Sequence, residues 1–144
     1  MRDITYEIKG LVPESVVVSV QADLRISEDI DHEVDTAAAT YGYYAVLAEK
    51  AETRYQKMKF SYEQWRAQTE SRQAMIRVQE SKKSLTESQM KAYVHTQPKY
   101  GAYQARLIEY DEHRRVLKIL ARAFELKKDL VQSKSANRRS EVRK

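Results

Sequence analysis

Lysines and arginines recur at helical spacing along the middle of this chain, and their chemistry is the easiest to assign. Lys50, Arg54 and Lys57 follow one another at steps of four and three, which places them on one side of a helix. Cationic side chains in such a row can hold the phosphates of a nucleic acid. The predicted phosphate-contacting residues are Lys50, Arg54, Lys57, Lys59, Arg66, Lys82, Lys83, Arg138 and Arg139.

The same bases also fit an ordinary solvated helix surface, because acidic residues are interspersed among them. The ten tyrosines and one tryptophan also allow two interpretations. Rings among bases can stack nucleobases, whereas rings at helical spacing more often fill a core. Tyr43, Tyr93 and Tyr100 lie off the main helical pattern and are the better candidates for exposed rings.

Little else in the sequence suggests chemistry. His32, His95 and His113 fall in three different elements, and none has a histidine or cysteine at metal-ligand spacing. Three isolated glycines cannot form a phosphate-binding loop, and the chain has no cysteine. We therefore expect no enzyme, no metal and no cofactor.

The elements that carry the bases are predicted to be long helices. Apolar and small residues three and four apart form a heptad pattern, which we call the α2 seam, and no proline occurs between Pro13 and Pro98. A helix from about 30 to about 83 would be about 80 Å long and needs a partner along its length. The α2 seam consists of Tyr41, Tyr44, Ala48, Ala51, Tyr55, Met58, Tyr62 and Trp65.

The first 28 residues have a different character. Ile4, Tyr6 and Ile8 alternate, and a β-branched run follows at 16–20, so we expect two short strands that dock on the helices. Residues 1–36 carry nine acids and three bases, whereas residues 37–144 carry 23 bases and 12 acids. An acidic leader therefore precedes a basic body, and Ser27 is the expected cap of the first long helix.

The second half of the chain predicts a return helix. Overlapping capping boxes, Ser84 with Glu87 and Thr86 with Gln89, indicate a short helix from about 86 to 95. Pro98 ends it and can begin a second long helix that reaches about 133. Residues 134–144 hold five bases and only Val142 as a larger apolar side chain, and are expected to be a disordered tail.

The predicted fold class is therefore all-α: a long antiparallel helical hairpin or coiled coil with a short inserted helix and a small β-like N-terminal segment. The expected divisions are an acidic leader at 1–28, a helical hairpin at 29–133 and a basic tail at 134–144. Either the rest of the chain or another copy must lie against so long a helix. We expect a homo-oligomer, while the number of subunits and any exchange of the hairpin between chains stay open. No membrane span is expected.

This layout resembles a known family. The Tyr- and Ala-rich long helix, the Lys-Ser-Leu-Thr-Glu helix start at 83–87, the break at Pro98 and the second long helix together resemble phage recombination mediator proteins of the UvsY type. The resemblance spans roughly residues 23 to 133. It implies a helical protein that forms a ring-like homo-oligomer and binds single-stranded DNA. It also implies contacts with a recombinase, which such proteins help to load, and with the single-strand-binding protein that they displace.

The resulting prediction is a non-enzymatic single-stranded DNA-binding recombination mediator, located in the cytoplasm of an infected bacterial host if a phage encodes it. The phosphate-contacting residues rest on the charge pattern, since none is transferred from the family. The alternative is a structural or scaffolding coiled-coil protein, such as a phage assembly factor or adaptor, in which the charge only confers solubility.

Overall fold

The computed structural model describes residues 3–12 and 15–143. Its two long helices pack as a hairpin and are accompanied by a small antiparallel sheet, which confirms the predicted fold class. No helix within these ranges has an apolar stretch long enough to cross a membrane. The elements in chain order are β1 (Thr5–Ile8), β2 (Val16–Ser19), α1 (Val20–Leu24), α2 (Ile30–Gln79), α3 (Glu87–His95) and α4 (Pro98–Val142).

The chain divides into two compact units, and α2 and α4 each contribute to both. The first unit comprises Met1–Glu52 and Glu112–Lys144, and the second comprises Thr53–Asp111. The leader predicted at 1–28 is thus part of a larger unit, in which it packs with the beginning of α2 and the end of α4.

The core of the first unit joins the sheet to the two long helices. In β2, Val16 and Val18 are buried and Val17 is exposed, as expected for a strand with one covered face. They pack in one cluster with Leu47 of α2 and Leu117 of α4. The docking predicted for the two strands is therefore confirmed, and it supplies the apolar cover that an isolated hairpin lacks.

The start of α2 is fixed by polar contacts in the first unit. The Asp29 carboxylate accepts a hydrogen bond from the His32 N–H at 3.1 Å and caps the helix. Ser27, the predicted cap, instead donates its backbone N–H to the Glu33 carboxylate at 3.0 Å. That prediction was wrong because two residues near this boundary have side chains able to cap, and the helix begins later, at Ile30.

The α2 seam is the packed side of its helix, as predicted. Tyr44 and Ala51 are buried, and the other six residues of the seam are half-buried. The Tyr44 ring stacks on Phe124 of α4, with 4.3 Å between the ring centroids and 6° between the ring planes. Most seam aromatics therefore pack against the second long helix or against one another.

The end of α2 has the geometry of a Schellman motif. The Lys82 N–H donates to the Arg77 carbonyl at 2.9 Å, and the Ser81 N–H donates to the Val78 carbonyl at 3.1 Å. Ser81 has a φ of 58°, in the left-handed region that glycine usually occupies in this motif. The helix consequently ends at Gln79, before the predicted boundary near 83.

The elements that follow agree with the sequence except at the C-terminus. Thr86 and Gln89 form the second of the two predicted capping boxes and start α3. Pro98 is the first residue of α4, as predicted. However, α4 continues to Val142, so residues 134–142 are helical where a disordered tail was expected. That segment has no apolar packing face, but Ala136, Arg138 and Arg139 favour helix once a preceding turn exists.

Candidate nucleic-acid interface

The positive charge of the chain is concentrated in the second unit. Residues 53–111 hold eleven lysines and arginines and six carboxylates, a surplus of five. That surplus equals the formal net charge of the whole chain, +5, so the residues of the first unit are balanced. An anionic partner is therefore most strongly attracted by residues 53–111.

Three of the nine predicted phosphate-contacting residues lie in the first unit. Lys50 is exposed on α2. Arg138 and Arg139 are exposed near the end of α4, and the Arg139 Nε lies 3.5 Å from the Ser135 carbonyl one turn earlier. The other six predicted residues belong to the second unit.

The predicted bases of the second unit face different sides of α2. Lys57 and Lys59 are both exposed. Side chains two positions apart on a helix point about 160° apart around its axis, so these two lie on different sides. Lys59 and Arg66, seven residues apart, share one side, and Tyr62 lies between them on that side. After α2, Lys82 forms an ion pair with Glu80 at 2.8 Å, and Lys83 is exposed.

Arg54 is engaged inside the second unit. Its guanidinium carbon lies 4.2 Å from the centroid of the Tyr110 ring, a cation–π arrangement between α2 and α4. Arg106 also approaches Tyr110, because its guanidinium donates to the phenol oxygen at 3.1 Å. We therefore assign Arg54 a packing role and leave it out of the interface proposed below.

Four aromatic side chains meet in the second unit and form what we call the ring cluster: Tyr62, Trp65, Tyr100 and Tyr103. The distances between ring centroids are 5.3 Å for Trp65 and Tyr103, 5.8 Å for Tyr62 and Tyr103, and 6.3 Å for Tyr62 and Tyr100. All four are half-buried. The exposed His95 ring stacks on Tyr100, with 4.4 Å between centroids, and extends the aromatic surface outward.

Beside the ring cluster lies a groove of about 700 Å³ between α2 and α3, entirely within the second unit. Its wall on α2 includes Tyr62 and Arg66, and its wall on α3 includes Lys91 and His95. A volume of this size suits a small organic ligand or a nucleobase. The complete lining is Tyr62, Arg66, Glu70, Ser71, Ala74, Leu85, Thr86, Glu87, Met90, Lys91, Val94 and His95.

The lining of the groove holds two bases and two carboxylates, so it carries both signs of charge. Glu70 and Glu87 repel a phosphate, whereas the exposed Arg66 and Lys91 attract one. Burial is the main cause that raises the pKa of the Tyr62 hydroxyl, and nearby Tyr100 adds to it. Tyr62 therefore stays protonated at neutral pH and can both stack and donate a hydrogen bond.

The short helix α3 is held in place by its own ends. The Gln89 N–H donates to the Thr86 hydroxyl at 3.2 Å, and the Thr86 N–H donates to the Gln89 side chain at 3.0 Å. The connection before it is tied by Arg77, whose Nε donates to the Lys83 carbonyl at 2.9 Å. These contacts fix the wall of the groove that carries Lys91 and His95.

Sequence reasoning missed the α3 contribution to this groove. Glu87, Lys91 and His95 are four residues apart, which indicates a shared side of α3, but nothing local shows that this side meets Arg66. Of the three rings predicted to be exposed, Tyr43 is 51% exposed, while Tyr93 and Tyr100 are half-buried.

Within residues 3–12 and 15–143, no group of three or more histidine, cysteine, aspartate or glutamate side chains is placed to hold a metal ion. Comparisons with known proteins found no matching family model, curated protein or solved structure.

Proposed function

We propose that this chain is a non-enzymatic single-stranded DNA-binding protein that acts as a recombination mediator. The observation that carries the proposal is the location of the whole charge surplus within residues 53–111, the same unit that holds the ring cluster and the groove. Bases beside aromatic rings are the combination that single-stranded nucleic-acid sites use.

The groove suggests how a strand would bind. Arg66 and Lys91 at its rim would hold consecutive phosphates, and a base would turn inward to stack on Tyr62 or His95. Glu70 and Glu87 line the same groove and would repel any phosphate that comes close to them. Lys59 lies on the Arg66 side of α2 and would extend the track, while Lys57, Lys82 and Lys83 would add peripheral contacts. A duplex, whose bases are stacked internally, would bind less tightly.

The role as a mediator rests on the resemblance of the layout to the UvsY-type family. It makes a recombinase and a single-strand-binding protein the expected partners, with a homo-oligomer as the working form. Linked subunits would add many weak phosphate contacts into one strong interaction.

The test is fluorescence anisotropy of a labelled single-stranded oligonucleotide, titrated at several salt concentrations with duplex as competitor. Arg66→Gln combined with Lys91→Gln should weaken binding about tenfold or more at 0.1 M salt. The slope of the logarithm of the binding constant against the logarithm of the salt concentration should become shallower by about 1.4. The matched control is Lys118→Gln with Lys134→Gln, two exposed bases of α4 in the first unit, which should retain binding.

Each result has a clear meaning. Binding that is steeply salt-dependent, prefers the single strand and is lost only in the groove variant supports the proposal. Equal loss in both variants would show diffuse electrostatic attraction without a groove site. No binding at low salt, where the attraction is strongest, would remove nucleic acid from consideration.

A second candidate, a scaffolding coiled-coil protein, is favoured by the outer side of α2 in the second unit. Phe60, Met75 and Val78 are 61%, 64% and 74% exposed there, which is unusual for apolar side chains of this size. Such a side would be covered in a permanent assembly. A stable oligomer without affinity for single-stranded DNA would support this candidate over the first.

A further inference from the structure

Helix α4 carries an apolar stripe on a side that its core does not use. Ile119, Leu126 and Leu130 are 69%, 49% and 57% exposed, and the half-buried Ala123 lies between them. The steps of four, three and four match a heptad seam, and we call these four residues the α4 stripe. All four belong to the first unit, whose own core is formed by other residues of α4 such as Leu117 and Phe124.

The α4 stripe is complementary to itself when two copies run antiparallel. With the two-fold axis between residues 124 and 125, Ile119 lies opposite Leu130 of the second copy, and Ala123 lies opposite Leu126 of the second copy. Each large side chain near the axis thus faces a small one, which lets the helices approach closely. The two remaining layers repeat these pairs by symmetry.

The charges that flank the stripe fit the same arrangement. Arg122 and Asp129 border it, with side chains 64% and 58% exposed. The antiparallel register brings Arg122 of each copy beside Asp129 of the other, so two ion pairs form. Their present partners are local, since Arg122 contacts Glu125 at 3.1 Å and Asp129 lies 3.9 Å from Lys128. A parallel pairing would instead place Arg122 opposite position 127, where Lys127 is already paired with Glu33, so neither ion pair would form.

We propose that α4 of the first unit pairs antiparallel with α4 of a second copy of this chain, through the α4 stripe and two reciprocal Arg122–Asp129 ion pairs. The proposal does not rest on nucleic-acid binding and can fail or succeed separately from it. Residues 116–133 span only about 27 Å, so the contact is smaller than a standard interface, and we expect a dissociation constant of about 1–100 μM.

Charge exchange tests the pairing in sedimentation equilibrium from about 2 to about 200 μM protein. Arg122→Asp and Asp129→Arg should each weaken the dimer about tenfold or more, because each turns two attractions into two repulsions. The double variant Arg122→Asp/Asp129→Arg should recover the wild-type constant within about threefold. Lys118→Asp is the matched control: it is exposed on α4, makes the same change in charge, faces no acid in this register and should leave the constant unchanged.

The apolar part and the direction of the pairing are tested separately. Leu126→Glu should abolish dimer formation while the far-ultraviolet circular dichroism stays that of the wild type, since Leu126 is half exposed. The chain has no cysteine, so Ala136→Cys gives a single spin-label site. Two labels should be separated by about 34 Å along the antiparallel pair, compared with about 10 Å across a parallel one.

The proposal is overturned if the wild type stays monomeric at the highest concentration. It is equally overturned if Leu126→Glu leaves association intact, if the double charge exchange fails to recover what the single changes lose, or if Lys118→Asp weakens association as much as Arg122→Asp. A distance of about 10 Å between the two spin labels would reject the antiparallel direction.

Discussion

Glu33 and Lys127 form an ion pair whose side chains are only 10% and 14% exposed, with 3.3 Å between carboxylate oxygen and Nζ. Each partner is also held by the backbone: Glu33 accepts the Ser27 N–H, and Lys127 donates to the Asp23 carbonyl at 2.9 Å. The pair thus attaches the segment before α2 to α4. Removing one charge would leave the other buried without its partner.

We expect Glu33→Gln to lower the free energy of unfolding by about 2 kcal/mol at pH 7. The backbone N–H of Ser27, and then Lys127, lower the Glu33 pKa below its usual 4.5. The stabilisation is therefore complete above that value and disappears as the pH falls through the lowered pKa. Urea unfolding at several pH values should show the difference between wild type and variant shrinking below about pH 4.5.

The exposed Glu49→Gln serves as a control for that experiment and should change stability little at any pH. If the loss of unfolding free energy caused by Glu33→Gln stays constant down to the lowest pH, the charge of Glu33 is not the source of the stabilisation.

The individual bases show which properties of the site the sequence can predict and which it cannot. Spacing alone placed Lys50, Arg54 and Lys57 on one side of a helix, and of these Lys50 and Lys57 are exposed. It could not reveal that Arg54 packs over Tyr110, fifty-six positions away. Nor could it show that Lys91 lines the same groove as Arg66. Local periodicity gives the direction of a side chain, whereas its partner depends on how distant segments pack.

The left-handed Ser81 at the end of α2 yields a prediction at the scale of an element. A side chain in this conformation costs about 1 kcal/mol, which glycine avoids. Ser81→Gly should therefore raise the free energy of unfolding by about 0.5–1 kcal/mol, seen as a higher midpoint in thermal unfolding. Ser81→Val should lower it, because a β-branched residue is still less suited to this region.

A matched substitution at the exposed Ser84, which lies outside the motif, should have little effect. Destabilisation by Ser81→Gly would show that the greater conformational entropy of the unfolded chain with glycine outweighs the relief of strain.

The elements themselves were largely predictable. The three- and four-residue periodicity, the Thr86 capping box and Pro98 identified α2, α3 and the start of α4. The end of α4 was not predictable, because residues 134–142 offer no apolar side and continue a helix that is already formed. The five-residue α1 was also missed, since its length gives no helical period.

At the scale of the whole molecule, buried side chains are unevenly distributed. The first unit contains a cluster of nine buried residues, including the fully covered Leu47 and Leu117. Within residues 53–111, only Thr69 and Val94 are buried. Local opening should therefore cost less in the second unit, where the proposed interface lies.

Hydrogen exchange checks this expectation within one helix. Amides of α2 at 44–51 should exchange about 100-fold more slowly than amides at 66–79, although both segments are regular helix. The comparison is internally controlled, since both segments belong to α2. Uniform protection along α2 would instead indicate that opening is cooperative over its whole length.

The composition of its core determines when the first unit can finish folding during synthesis. Val18 leaves the ribosome early, yet it packs in one cluster with Phe124, more than a hundred residues later. At about 5–20 residues per second, the two strands wait roughly 5–20 s for α4. During that interval the valines have no cover from α4, so nascent chains and prematurely terminated products would depend on chaperones.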